Sequence, residues 1–326
     1  MTNETRYTGE ALKTKADAEK LGVESAYIPS KSLVAAVNLA LILKRPLLVK
    51  GEPGCGKSTL AKAVAAEFFG KDYKGNYFEW NVKSTSKAQE GLYTIKHLER
   101  LSEANLNTGP EKLKIELKSN GDGTYKASGQ FIELGPLGQA FSRSNKEGLV
   151  APQVMLIDEI DKADIDFPND LLWELDRMEF PIPEIKGNDT LIITANKNLR
   201  PLVIITSNDE KPLPAAFLRR CLFHHIGFED IQLKEILKAQ FPSLDEALLI
   251  TPALNIFEKL RKEISDKGFS NKNVTTAELM DWMNLIAHYH AGSTDPIEFL
   301  KDGRPIYHEA LLKDEESLKI SLRHDS

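Results

Sequence analysis

Lys57 and Ser58 close a glycine-rich loop in the stretch LLVKGEPGCGKSTLAKAVA, residues 47–65. The spacing Gly51-x-x-x-x-Gly56-Lys57-Ser58 is the full P-loop pattern, and each residue type in it has a physical reason. Gly51, Gly54 and Gly56 have access to backbone angles closed to other residues, so the loop can turn its N–H groups inward toward an anion. The helix expected from Leu60 onward adds free N–H groups and partial positive charge at its start. Lys57 would reach the terminal phosphates, and the Ser58 hydroxyl would ligate Mg2+. A nucleoside triphosphate suits this arrangement, with Gly51, Glu52, Pro53, Gly54, Cys55, Gly56, Lys57, Ser58 and Thr59 around its phosphates.

Two carboxylates follow a hundred residues later. Asp158 and Glu159 end the apolar run Val154–Ile157, which reads as a strand covered on both faces. Ligands of open parallel sheets bind at that edge. Asp158 is assigned to Mg2+, held through its water shell, and Glu159 to polarising water against the γ-phosphate. Asn208 follows the next apolar run, PLVIITS, where its amide could hold the attacking water or touch the γ-phosphate. Arg219 and Arg220, in LPAAFLRRCLF, follow a short helix expected from Pro214. An arginine supplied by a neighbouring subunit can stabilise charge developing on the γ-phosphate. The histidines carry less. His288 and His290 diverge by roughly 200° around a helix and cannot face one metal ion. His224 and His225 alternate along a strand and read as structural.

These residues need a scaffold, and the chain spells one out. Strands are expected at Leu47–Val49, Tyr77–Val82, Val154–Ile157, Leu202–Thr206 and Leu222–Gly227, with helical patterns between them. The fold class is therefore α/β: a P-loop αβα sandwich with a five-stranded parallel sheet. Before it, residues up to about 45 read as helical, with Ser30 capping the run from Leu33. The interval from Lys57 to Asp158 is too long for one helix, one strand and another helix. Its surplus lies near KLKIELKSNGDGTYKASGQFIEL, where alternating apolar and charged residues flank Asn120-Gly121 and Asp122-Gly123. That pattern predicts an inserted β-hairpin at about 110–135. After residue 228 the strand signals cease, and helical stretches are expected around 231–240, 253–267, 276–290 and 309–320. The expected domains are thus a nucleotide-binding core at 1–228 and a small all-helical lid at 229–326.

Composition narrows the partners. The chain has 326 residues, 41% hydrophobic and 28% charged, with a net charge of −6, so no global basic field draws it to nucleic acid. No apolar stretch approaches membrane-spanning length, and MTNETRYTGE lacks the pattern of a signal peptide. Cys55 and Cys221 are the two cysteines, and the first lies inside the phosphate loop. That argues for a reducing, cytoplasmic setting.

The residues at about 25–295 resemble the AAA+ ATPases and, within them, the MoxR family. The resemblance rests on GEPGCGKST, MLIDEIDKAD, PLVIITSN and LPAAFLRRC. STSKAQEGLY and ELGPLGQAF are also similar, and they bracket the family's insertion where the hairpin is expected. It implies ATP and Mg2+ as cofactors and a homo-oligomeric ring, usually a hexamer, with ATP held between subunits. It makes Asp158 and Glu159 the Walker B pair, Asn208 sensor 1, and Arg219 and Arg220 the fingers acting in trans. It also implies remodelling of a separate client or adaptor protein, often one bearing a von Willebrand factor A domain, with metal or cofactor insertion a common version. One departure stands out. The segment NKNVTTAELMDWM, where the family's lid often carries a basic sensor 2 residue, has no arginine, so Lys272 just upstream is the substitute candidate. A nucleic-acid motor or loader of the same fold is the alternative, kept open by Lys112, Lys114 and Lys118.

Overall fold

The computed structural model describes residues 5–95, 117–119, 125–127, 132–183, 191–228, 232–266, 273–292, 297–301, 303–313 and 317–319. The chain divides into two compact units, one of Met1–Thr8, Lys31–Gly51 and Lys57–His225, the other of Gly9–Ser30, Glu52–Gly56 and Ile226–Ser326.

The first unit is built on β1 (Leu47–Gly51), β2 (Tyr77–Asn81), β7 (Val154–Asp158), β10 (Leu202–Ser207) and β11 (Leu222–Ile226). They form one five-stranded parallel sheet in the order β11-β1-β10-β7-β2. Leu47, Ile204 and Leu156 lie side by side across its three central strands. All six residues of β10 are buried, as a central strand with helices on both faces requires. The helix Lys57–Phe69 buries Leu60, Val64 and a run of alanines, small side chains that let it approach the sheet closely. One core joins Leu48, Met155, Ile157, Val203 and Ile205 to Trp80, Phe141, Phe180 and Phe217.

Three smaller ribbons adorn this sheet. β4 (Leu117–Ser119) and β5 (Tyr125–Ala127) pair antiparallel, as the expected hairpin requires; Lys112, Lys114 and the turn residues 120–123 lie outside the described residues. The sequence reading missed the other two. β3 (Tyr93–Ile95) pairs with β6 (Ile132–Leu134), and β8 (Glu179–Ile182) with β9 (Leu191–Thr194). The β3–β6 ribbon closes the base of the insertion. A Cβ on Gly135 would stand 2.2 Å from the Glu90 carbonyl oxygen, and one on Gly138 2.0 Å from that of Leu92. Glycine is needed at both, because backbone meets backbone there.

The second unit is mainly helical: Lys15–Leu21, Leu233–Gln240, Thr251–Asp266 and Thr276–His290 are its longer helices. Leu237, Phe257, Leu279, Trp282, Met283 and Ile286 form its core, and the Trp282 indole N–H donates to the Ile306 carbonyl at 2.6 Å. Two expectations need correction. The tail is not wholly helical, because β12 (Leu300–Lys301) pairs with β13 (Arg304–Pro305). The helix expected near 309–320 is one turn, His308–Leu311, followed by a 3-10 turn at Ser317–Lys319. The His290 ring lies 3.1 Å from the Tyr307 hydroxyl, a structural contact. Among the described residues no helix is long and apolar enough to cross a membrane.

Candidate active site

At the carboxyl ends of β7 and β10, parallel pairing brings together residues far apart in sequence. Ser58 donates to Asp158 Oδ1 at 2.7 Å. The Thr206 hydroxyl donates to the same oxygen at 2.6 Å and accepts from the Glu159 N–H at 2.8 Å. Thr206 therefore fixes both acids at once, and sequence reading passed it over because a threonine inside an apolar strand carries no motif. Glu159 sits at φ +57°, in the left-handed region, a conformation that costs non-glycine residues free energy and clusters at functional sites. Its Oε1 accepts from the Asn208 amide at 2.9 Å, and its Oε2 pairs with Lys162. That hydrogen bond raises the Lys162 pKa, so the ammonium stays charged. Asp161, 2% exposed, accepts from the backbone N–H groups of Asn208 and Glu210 at 3.1 and 2.8 Å. It thereby holds the turn that presents the Asn208 amide.

Lys57 is 5% exposed, and its Nζ donates to the Gly51 carbonyl at 2.8 Å. Gly54 and Gly56 adopt φ of +75° and +90°. Gly51 instead closes β1 in extended conformation, so two of the three loop glycines, not all three, use the left-handed region.

Residues 52–56 group with the second unit, which holds them by three close contacts. A Cβ on Gly54 would lie 2.8 Å from the Ala277 Cβ, and one on Gly56 3.1 Å from the Tyr27 ring. Arg261 is 8% exposed and donates to both carboxylate oxygens of Glu52 at 3.1 and 3.0 Å. Its guanidinium lies over the Phe228 ring at 3.8 Å and also donates to the Val274 carbonyl. No motif marks Arg261, which occupies an ordinary position in the amphipathic helix Thr251–Asp266. Thr275 and Glu278, in the segment lacking the expected arginine, form a capping box for the helix Thr276–His290. Lys272 lies outside the described residues.

Arg219 and Arg220 follow the short helix Ala215–Leu218 and are both exposed. They differ in what they touch. The Arg220 Nε donates to Asp176 at 2.5 Å and its Nη1 to the Ala216 carbonyl at 3.1 Å. The Arg219 side chain makes no hydrogen bond or ion pair among the described residues. Beneath both, Arg45 donates to the carbonyls of Arg219, Arg220 and Cys221, the latter two at 3.0 and 3.3 Å. Three carbonyls on one guanidinium fix the turn from which the arginines project. Burial pushes the Cys221 thiol up to about 12, which keeps it protonated and unreactive. Burial likewise raises the pKa of Tyr27.

No group of three or more histidine, cysteine or acidic side chains forms a ready-made metal cage among the described residues. The Ser58 and Asp158 oxygens suit instead a hard cation that takes its other ligands from phosphate and water.

The model of the ATPase family associated with various cellular activities (AAA) matches residues 47–229. No curated protein matches the chain. Among solved structures, the chain is similar to a candidate ATPase from Cytophaga hutchinsonii, at 14% identity and a TM-score of 0.40. The match covers 69% of this chain and 53% of that one, so this chain spans about half the length of its structural relative. The family match covers more than half of the 326 residues, including the phosphate loop, both acids, Asn208 and the paired arginines: the chain belongs to the AAA family.

Proposed function

We propose that the chain is an ATPase of the MoxR type and works as a homo-oligomeric ring, hexameric by resemblance, that remodels a separate client protein. A von Willebrand factor A-domain protein is the partner class the resemblance favours. In this reading Lys57 neutralises charge on the β- and γ-phosphates, and Ser58 and Asp158 hold Mg2+. The metal supplies charge neutralisation on the phosphates when bound. Glu159, oriented by Thr206 and the Asn208 amide, takes up the proton of the attacking water. In that step the carboxylate gives up its Lys162 partner for the water while the Asn208 amide keeps its hold. Arg261 acts as a positioning residue that holds Glu52.

One observation carries the ring reading. Arg219 is braced by Arg45 yet has no partner for its own guanidinium among the described residues, as expected of a group that completes another subunit's site. Arg220, tied to Asp176 and the Ala216 carbonyl, anchors the same turn. The test is a mixture. A Lys57→Ala subunit keeps its arginines and loses its pocket, whereas an Arg219→Ala subunit does the reverse. Each alone should be inactive, and co-assembled rings should regain ATP turnover because one kind of junction carries both intact halves. Mixed rings of demonstrated co-assembly that stay as inactive as either mutant would overturn trans action.

A further inference from the structure

The opposite edge of the same sheet holds a cleft that the ATPase site does not use. Gln153 precedes β7 and Asn76 precedes β2, so both sit at the amino ends of two paired strands, of which β7 carries the acids at its carboxyl end. Between them opens a cavity of about 710 Å3, within the range of ligand sites. Its walls carry two pairs of cations. Lys71 and Lys74 are three apart in the 3-10 helix Gly70–Gly75, a spacing that eclipses side chains on one face. Arg143 and Lys146 end and follow the helix Pro136–Arg143.

Asp72 and Glu147 also line the cavity, so the cations outnumber the carboxylates by four to two. None of these six groups forms an ion pair among the described residues. Two buried polar atoms there lack hydrogen bonds: the Arg143 Nε and the Gln153 Oε1. Gln153 is 1% exposed, and its amide nitrogen donates to Asn76 Oδ1 at 3.1 Å, which leaves the carbonyl oxygen needing a donor. The lip is apolar, with Val150 77% exposed.

We propose that this cleft binds an acidic peptide segment of a partner protein. The ligand must bring anions to four cations and an N–H to Gln153, and a peptide backbone with carboxylate side chains supplies both. Free phosphate or carboxylate ions lack the N–H donor. Nucleic acid fits less well, because Asp72 and Glu147 would oppose an unbroken row of phosphates and Phe68 and Phe69 face each other edge-on at 6.5 Å instead of offering a stacking platform. The identity of the partner as a client rests on the remodelling reading above; the site itself rests on the cleft.

The probe is a fluorescein-labelled dodecapeptide of glutamate, leucine and glycine, titrated with the full chain at low ionic strength and followed by anisotropy. Binding should weaken with added salt. The Lys71→Glu, Lys74→Glu double variant should weaken it on the order of tenfold while leaving basal ATP turnover unchanged. Gln153→Leu, which keeps every cation, should weaken it by a smaller factor, with thermal unfolding reporting that both variants fold. The same peptide with glutamine for glutamate should not bind. The proposal fails if the acidic peptide does not bind, if charge reversal leaves binding unchanged, or if the glutamine peptide binds equally well. It fails also if oligothymidylate or pyrophosphate displaces the peptide more effectively than unlabelled peptide does. Because the readout is binding, remodelling can fail while the cleft stands, and the reverse.

Discussion

The two edges of one sheet handle charge in opposite ways. At the carboxyl edge the functional side chains are already partnered with one another: Ser58 and Thr206 on Asp158, the Asn208 amide and Lys162 on Glu159, Lys57 on the Gly51 carbonyl. At the amino edge Lys71, Lys74, Arg143 and Lys146 have no carboxylate partner among the described residues. The contrast follows from what each edge must do. A hydrolytic site needs its groups within a fraction of an ångström of the productive geometry, and internal hydrogen bonds hold them there before ligand arrives. A cleft that receives a flexible acidic segment gains little from such rigidity; exposed cations steer the partner in and settle against it afterwards.

The largest effect should come from Arg219→Ala, which should lower ATP turnover by roughly 10³ or more, the range for an arginine finger. Arg220→Ala, whose guanidinium is held by Asp176, should lose clearly less in the same steady-state assay. Equal losses would erase the distinction between a reaching arginine and a supporting one. Next comes Glu159→Gln, which keeps size and the Asn208 contact but removes the proton acceptor. Turnover should fall at least about 10²-fold, while calorimetry shows ATP still bound; normal turnover would move the role to another acid, Asp161 first. Thr206→Val sharpens the picture further, because the Thr206 hydroxyl bonds the Asp158 carboxylate and the Glu159 N–H. Losing the group that orders both acids should raise the Mg2+ concentration needed for half-maximal activity by about tenfold. The smallest effects belong to the other edge. Lys71→Ala and Lys146→Ala should shift unfolding free energy by under about 0.5 kcal/mol and leave turnover intact. A turnover defect there would mean that the two edges are coupled.

Much of the carboxyl edge could be read directly from the chain, because phosphate binding demands contiguous residues in a set order and a buried parallel strand shows as an unbroken apolar run. Lys57, Asp158 and Asn208 were all legible on that basis. What escaped notice depends on pairings between distant segments. Arg45 is 174 residues from the Arg219 carbonyl it holds, and Arg261 is 209 from Glu52, with nothing local to mark either. The β3–β6 and β12–β13 ribbons have three and two residues per strand, too short to show alternation. Pro181 in β8 further disguised its hairpin, since proline argues against a strand. Gly51 was misjudged for a related reason: a glycine at a motif position suggests an unusual φ, but here it only ends a strand.

Ile95 and Ile132 face each other across the β3–β6 ribbon, and the Gly135 N–H meets the Leu92 carbonyl at 2.9 Å. The two ends of the inserted segment, Ile95 and Ile132, are thus held side by side. Loop-closure cost grows only with the logarithm of length, so the segment between them can change in size at little expense to the sheet. Because Ile95 and Ile132 stand side by side, the pairing of the sheet does not depend on how many residues join them.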